Sequence, residues 1–236
     1  MDGTAWIDLT DMEYLHCRGM RFPKVHDIIG GAIRHGLRNG DYEAKEAEIV
    51  SKNIKPEDTV LELGGGIGFI STLAATKGKA RAVHTFEANP RLIPYIRAVH
   101  EANDCPHVEV NNAILGARKG VVDFYIRKNP LASSMSAVPN KPALEVTRVE
   151  MRNARHEFKR IKPTVLICDI EGAEAHLMPA LPLDGLRAAI LELHPQWIGP
   201  DGINRVFRAF MDAGMAYYPR FSTNKVVCFR RAWHVT

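Results

Sequence analysis

The chain has 236 residues, 46% of them hydrophobic, and its 31 basic and 27 acidic side chains leave a net charge of +4. That length fits one α/β domain with a substantial core, and the near balance of charge lacks the basic excess of a dedicated nucleic-acid binder. Four cysteines, Cys17, Cys105, Cys168 and Cys228, stand far apart with no CxxC pair, which argues against a disulfide framework or a cysteine zinc site. The first six residues lack the basic and apolar character of a secretory leader. No apolar run approaches the roughly 20 residues that span a bilayer. A cytoplasmic protein with no membrane contact is the expectation.

Residues up to about Gly40 are mixed in pattern and broken by Pro23 and Gly30-Gly31. Residues 41–53 read as an amphipathic helix, with Asp41 as N-cap and Ala44, Ala47 and Val50 on one side. After a turn at Lys55-Pro56-Glu57-Asp58, residues 59–63 form a short apolar run bounded by glycines, as a buried strand does. Helices at 69–77 and 90–102, with Pro90 in the first turn, alternate with strands at 82–86 and 108–110. That alternation predicts parallel crossovers.

Residues 120–127 alternate like a half-exposed strand, 129–142 read as a proline-bearing loop near the site, and 145–151 as another strand. A basic helical stretch follows at 152–162, then strands at 164–170 and 187–193. A helix at 202–213, stopped by Gly214, precedes strands at 215–218 and 225–231 joined by a turn at Ser222-Thr223-Asn224. No repeat or linker interrupts the chain. The division expected is an N-terminal helical extension over 1–54 packed on a domain over 55–236.

The strand carrying Glu62 runs into Gly64, Gly66 and Gly68 and then a helix, the layout of a nucleotide-binding turn. Glycines let the backbone turn sharply and a ligand lie against the peptide plane. The spacing is G-x-G-x-G. A dinucleotide GxGxxG would put its third glycine at Phe69 or Ser71. Glu62 suits a cationic aminoacyl group and offers nothing to a pyrophosphate, so S-adenosyl-L-methionine fits better than NAD. Glu87 ends the next strand, about twenty residues on, where a carboxylate accepts ribose hydroxyls of either ligand. Ala88 follows it, and Asn112 and Ala113 at the third strand's end would border the adenine.

Cys168-Asp169-Ile170-Glu171-Gly172-Ala173-Glu174 sets three carboxylates just past a buried strand. The next strand ends in Glu192-Leu193-His194-Pro195, which brings His194 to the same edge. Asp169, Glu171 and His194 are the candidate catalytic groups, able to deprotonate a hydroxyl or to hold a divalent metal. Glu174 is expected as a solvent-facing or helix N-terminal charge.

With these residues the chain resembles the FkbM-type family of methyltransferases. Glu62-Leu63-Gly64-Gly65-Gly66-Ile67-Gly68-Phe69 looks like the family's first motif, and Phe86-Glu87-Ala88-Asn89-Pro90 like its second. Asn111-Asn112-Ala113-Ile114 followed by Gly120 is similar to the stretch after the third strand. Asp169-Ile170-Glu171-Gly172-Ala173-Glu174 resembles the family's most distinctive sequence, and Leu191-Glu192-Leu193-His194 the strand after it. The match covers about 57–194 and continues loosely to Arg231. It implies a Rossmann-like class I methyltransferase fold, a doubly wound seven-stranded sheet whose last strand runs antiparallel, and methyl transfer to oxygen of a sugar or small molecule. The family commonly has Asp and Asn where this chain has Glu62 and Gly66.

The expected enzyme binds S-adenosylmethionine and aligns its activated methyl with a substrate hydroxyl, while Asp169, Glu171 or His194 accepts the proton. An Asn/Asp-Pro-Pro-Tyr/Phe motif for exocyclic amines is absent from that strand end, and nucleic acid is disfavoured as partner. The alternatives are an RNA methyltransferase using 152–162 as a phosphate patch, an NAD-dependent oxidoreductase, and a binding protein without catalysis. Residues 129–142 and the first forty residues are expected to shape the acceptor pocket. Homo-oligomerisation and metal dependence stay open.

Overall fold

The structure, a computed structural model, describes residues 7–127 and 143–232. The loop read at 129–142 therefore lies outside the described residues. A hairpin comes first, β1 (Tyr14–Cys17) and β2 (Met20–Pro23). Arg18 and Gly19 turn it with φ of 51° and 74°, the left-handed pair that matches strand twist. Tyr95 donates its hydroxyl to the Pro23 carbonyl at 2.8 Å, and Asn103 exchanges hydrogen bonds with both backbone groups of Arg21. The first segment, read as mixed, is thus stitched to the helix that carries Tyr95.

Helices α1 (Gly31–Asn39) and α2 (Ala44–Asn53) follow. Asp41 does not cap α2. Its N–H and that of Tyr42 both donate to Gly36 O, which keeps residues 41–42 in the turn closing α1. Glu43 takes the N-cap position instead, with φ 44°.

The main sheet has β3 (Thr59–Leu63), β4 (Ala82–Glu87), β5 (Glu109–Asn112), β9 (Val165–Cys168), β10 (Ala188–Glu192), β11 (Ala216–Tyr217) and β12 (Val226–Arg230). Its spatial order is β5-β4-β3-β9-β10-β12-β11. Strands β3, β4, β5, β9 and β10 are parallel, and β12 runs antiparallel to β10. Order reverses between β3 and β9, and the crevice outside such a switch point is where open α/β sheets bind ligands. Helices α3 (Phe69–Thr76), α4 (Ile93–Ala102), α5 (Ala154–Ile161), α6 (Glu174–Leu177) and α7 (Pro195–Asp212) make the connections.

Side chains alternate across the sheet, as the period of two requires. Val60, Val165, Ile167 and Ile190 face a core shared with α2, α3 and the hairpin. Leu61, Leu63, Leu166, Cys168 and Leu191 face a second core under α5, α6 and α7. Between β5 and α5 lies a small second sheet of β6 (Ile114–Gly116), β7 (Gly120–Ile126) and β8 (Glu145–Asn153), in the order β6-β8-β7.

Several boundaries differ from the sequence reading. Helix α4 starts at Ile93, because Asn89 Oδ1 and O accept from Arg91 and Leu92 N–H and hold residues 89–92 in a turn. Pro94, not Pro90, occupies its first turn. The basic stretch 152–162 is split. Arg152 lies in β8, and the Asn153 side chain, at the strand's end, caps α5 by accepting from His156 N–H at 3.0 Å. Strand β9 stops at Cys168, and α7 begins at Pro195 with a kink at Gly199. Among the described residues no helix is long and apolar enough to cross a membrane.

At the opposite edge from the crevice, Asp58 ties three strands together. Its carboxylate accepts from Arg187 Nε at 2.7 Å, from Arg187 Nη2, from Thr164 Oγ1 at 2.8 Å and from Lys55 N–H at 2.7 Å. Asp58 is 1% exposed. Burial pushes its carboxyl up, yet the bonds from Arg187, Lys55 and Thr164 outweigh burial and hold it below its ordinary value. A lowered carboxyl stabilises the fold above the unfolded carboxylate range, about pH 4, and the contribution fades as pH falls through the folded value. Asp58→Ala should cost about 3 kcal/mol, since it strands a partly buried guanidinium. Urea unfolding at pH 7 reads the loss, and the difference from wild type should shrink below about pH 4.

Candidate functional site

The glycine turn is built by steric exclusion. Gly64 and Gly65 N–H both donate to Phe86 O, at 2.9 and 3.2 Å, so the turn folds back over β4. Gly64 has φ 90°, and a Cβ there would stand 1.8 Å from the carbonyl oxygen of Asp169. A Cβ on Gly65 would meet Thr85 Oγ1 at 2.7 Å, so this glycine, outside the predicted set, is needed as well. Gly66 and Gly68 also have positive φ, 53° and 75°, and Gly68 is the N-cap of α3.

Glu62 points from β3 toward α3 and is buried. One carboxylate oxygen, Oε2, has no hydrogen-bond partner. Burial raises its carboxyl to about 8; the hydroxyls of Thr85 and Ser71 oppose the shift and Glu87 adds to it. Glu87 ends β4, accepting from Gly66 N–H at 2.9 Å and from Asn89 N–H at 2.7 Å. Burial raises this carboxyl too, against the pull of those backbone donors. Ala88 and Ala113 line the same cavity. Asn112 does not line it. Its amide donates to Glu87 O at 2.9 Å and Ala88 O at 3.1 Å, and so holds the end of β4 in place.

The carboxylate segment follows β9. Asp169 N–H donates to Leu63 O at 2.9 Å. The chain then turns through Glu171 and Gly172, with φ of 53° and 102°, into α6. Glu174, the first residue of α6, is fully buried. It sits at a helix start as expected, but away from solvent. One oxygen, Oε1, accepts from Gly172 N–H at 3.1 Å and lies 2.8 Å from His194 Nδ1. A carboxylate two residues past a glycine turn, with a histidine due on the next strand, was the signal available for this pair.

His194 follows β10 and is 4% exposed. Its Nε2 lies 3.6 Å from Asp169 Oδ1 and 3.5 Å from Glu171 Oε2. The three predicted catalytic residues do converge. Burial and the Glu192 charge push Asp169 to about 7, His194 opposes, and Glu171 and Glu174 add to the rise. Burial disfavours the His194 imidazolium, but the hydrogen bond and charge of Glu174, with Asp169 and Glu171, raise it overall.

Both halves open into one cavity of about 690 Å³. Seven carboxylates line it: Glu43, Glu46, Glu62, Glu87, Asp169, Glu171 and Glu192. Among the described residues the lining begins at Tyr42, so none of residues 7–40 reaches it. Glu43 is raised to about 8 by burial and by Asp169, against its hydrogen bond with Tyr42. It is half-buried and lines the cavity. Tyr42, Glu43 and Glu46 escaped the sequence reading because an ordinary helix start gives no sign of what it faces.

No protein-family model and no curated protein matches this chain. Solved structures do. A protein assigned as a transferase from Pyrococcus horikoshii superposes with a TM-score of 0.51 at 13% identity, over 93% of this chain and 71% of that one. A protein assigned as an S-adenosylmethionine-dependent methyltransferase from Streptococcus mutans gives 0.50 at 11%, over 95% and 56%. A further methyltransferase, solved with S-adenosylhomocysteine, gives 0.51 at 12%, over 95% and 57%. The fold is the Rossmann-like fold of class I methyltransferases. This chain spans little more than half the length of the latter two proteins.

The steric account of the turn is testable on stability alone. Gly40→Ala meets nothing within 4 Å and should cost only left-handed strain, about 1–2 kcal/mol. Gly64→Ala must also displace the Asp169 carbonyl. It should lower the thermal midpoint at least twice as far as Gly40→Ala, and equal losses would contradict the contact.

Proposed function

We propose that this protein is an S-adenosylmethionine-dependent methyltransferase acting on a hydroxyl of a small molecule or saccharide. The observation that carries the reading is the shared cavity, with a glycine cradle and a half-unpartnered Glu62 on one wall and Asp169 and Glu171, backed by the buried His194, on the other. S-adenosylmethionine presents a sulfonium and an ammonium, whereas NAD presents a pyrophosphate. In a cavity lined by seven carboxylates the sign of the charge favours the former. Glu62 lines the cavity, and its buried Oε2 leaves its carboxylate with acceptor capacity unused by the protein. A protein of the same fold holds S-adenosylhomocysteine, which supports the same ligand here.

Glu62, Gly64 and Gly66 would hold the methionine end, with Gly68 starting the helix behind them. Glu87 has acceptor capacity left beyond its two backbone donors for the ribose hydroxyls. Ala88 and Ala113 would border the adenine. When bound, the cofactor supplies an activated methyl group, and alignment and proton acceptance fall to the protein. Asp169 and Glu171 face the cavity where a hydroxyl would lose its proton, and His194 stands buried behind them with its Nε2 3.6 and 3.5 Å from their carboxylates. The stretch from Asp169 to Glu174 and its pairing with His194 support an FkbM-like assignment within the wider class. An RNA acceptor meets two obstacles. Seven acids against Arg127 on the described cavity wall disfavour a phosphate there, and in the basic stretch Arg152 and Arg160 are engaged with Glu150, Asn111, Glu109 and Glu157.

Calorimetry with S-adenosylhomocysteine tests the cofactor wall. Glu87→Ala should weaken binding by about 1.5–3 kcal/mol, the worth of hydrogen bonds to a charged group. Because Glu62 is raised to about 8 and only its ionised form attracts an ammonium, binding should tighten as pH rises from 6 to 8 and release a proton. Repeating the titration in buffers of different ionisation enthalpy counts the protons released, and Glu62→Gln should reduce that count. For the other wall, Asp169→Asn should cut turnover of an accepted hydroxyl substrate by about 10²–10⁴ with S-adenosylhomocysteine affinity intact. Full turnover in that variant sinks the catalytic assignment.

A further inference from the structure

The cluster at the ends of β9 and β10 has a geometry that a proton relay alone does not explain. A carboxylate only accepts hydrogen bonds, so the 2.8 Å contact from His194 Nδ1 to Glu174 puts the ring hydrogen on Nδ1. The other nitrogen, Nε2, then presents a lone pair. Nε2 lies 3.6 Å from Asp169 Oδ1 and 3.5 Å from Glu171 Oε2. A hydrogen bond would draw such atoms to about 2.7–3.2 Å. With the ring neutral, three acceptor atoms, one on a side chain only 4% exposed, thus converge within 4.8 Å of one another.

Two ligands about 2.1 Å from a common cation, set 90–110° apart, lie about 3.0–3.4 Å from each other. The two separations from His194 Nε2, 3.6 and 3.5 Å, are close to that and longer than direct contact, and all three atoms lie within 4.8 Å of one another. Glu174 also occupies the place of the outer carboxylate that orients a metal-binding imidazole and fixes its tautomer. Asp169 and Glu171 are 45% and 42% exposed toward the cavity, so an ion there would keep open positions on the cavity side, as catalytic sites do.

We propose that Asp169, Glu171 and His194 bind one first-row divalent cation through a nitrogen and two carboxylate oxygens, with Glu174 as the orienting carboxylate behind the imidazole. Imidazole and carboxylate together suit Mn²⁺ or Zn²⁺ better than a thiol-seeking ion. The ion's role rests on the methyltransferase reading: its open positions would take the acceptor's hydroxyl oxygen and lower the pKa of that hydroxyl.

The test is a Mn²⁺ titration of the chelator-stripped full chain, followed by electron paramagnetic resonance of the free ion. One equivalent should bind. Glu171→Gln and His194→Ala should each weaken binding at least tenfold, and Glu174→Gln by about 10- to 100-fold. Glu46→Gln, elsewhere on the cavity wall, should leave binding unchanged. Glu171 is exposed, so its variant stays folded even if the buried histidine variant does not. Absence of binding at submillimolar Mn²⁺ overturns the proposal, as does binding lost equally in Glu46→Gln. Calorimetry of the metal-free protein with S-adenosylhomocysteine separates the two readings. Cofactor binding without Mn²⁺ binding removes the ion and keeps the methyltransferase, and Mn²⁺ binding without cofactor binding does the reverse.

Discussion

The site depends on one close approach, the carbonyl oxygen of Asp169 filling the space that a Cβ on Gly64 would occupy. β3 and β9 are neighbours at the point where sheet order reverses, and their exits must part there to open a crevice. They part with almost no gap. Asp169 N–H still reaches Leu63 O, so the parallel ladder extends one residue beyond β9 before the loops diverge. The glycine turn and the carboxylate segment are therefore two faces of one backbone contact. Any change that moves the first moves the second.

Charge is the other organising constraint. Among the described residues seven carboxylates line the cavity, and of these Glu62 and Glu43 are raised to about 8 and Asp169 to about 7. Desolvation is the leading cause in each case. The free protein relieves part of this self-repulsion by keeping protons on the buried groups. A cationic ligand relieves it further, and whatever binds only the folded state also stabilises it. The lone anchors behind the wall, Asn112 on the end of β4 and Glu174 on His194, keep the charged groups from relaxing away from one another.

Much of this architecture was legible in the sequence. The central strands β3, β9 and β10 announced themselves as short apolar runs, because strands covered on both faces need no polar alternation. Glycine spacing located the turn, and the strand ends at Asp169 and His194 correctly implied a common edge. The failures have physical reasons. The β1–β2 hairpin hides behind Arg18-Gly19, a left-handed pair with one non-glycine member. Asp41 looked like a helix cap, but its N–H was already claimed by Gly36. Glu174 and Asn112 were misjudged because a polar residue beside a strand end reads alike whether it faces water, ligand or a buried partner. Only the tertiary contacts decide.

A crystal structure of the protein with S-adenosylhomocysteine tests the central claim most directly. The account predicts the homocysteine end against Gly64, Gly65 and Gly66, with its ammonium at Glu62 and the ribose hydroxyls at Glu87. The sulfur should face Asp169 and Glu171 across the cavity. Ligand bound with its adenine against the glycine turn, or bound outside this cavity, would contradict it.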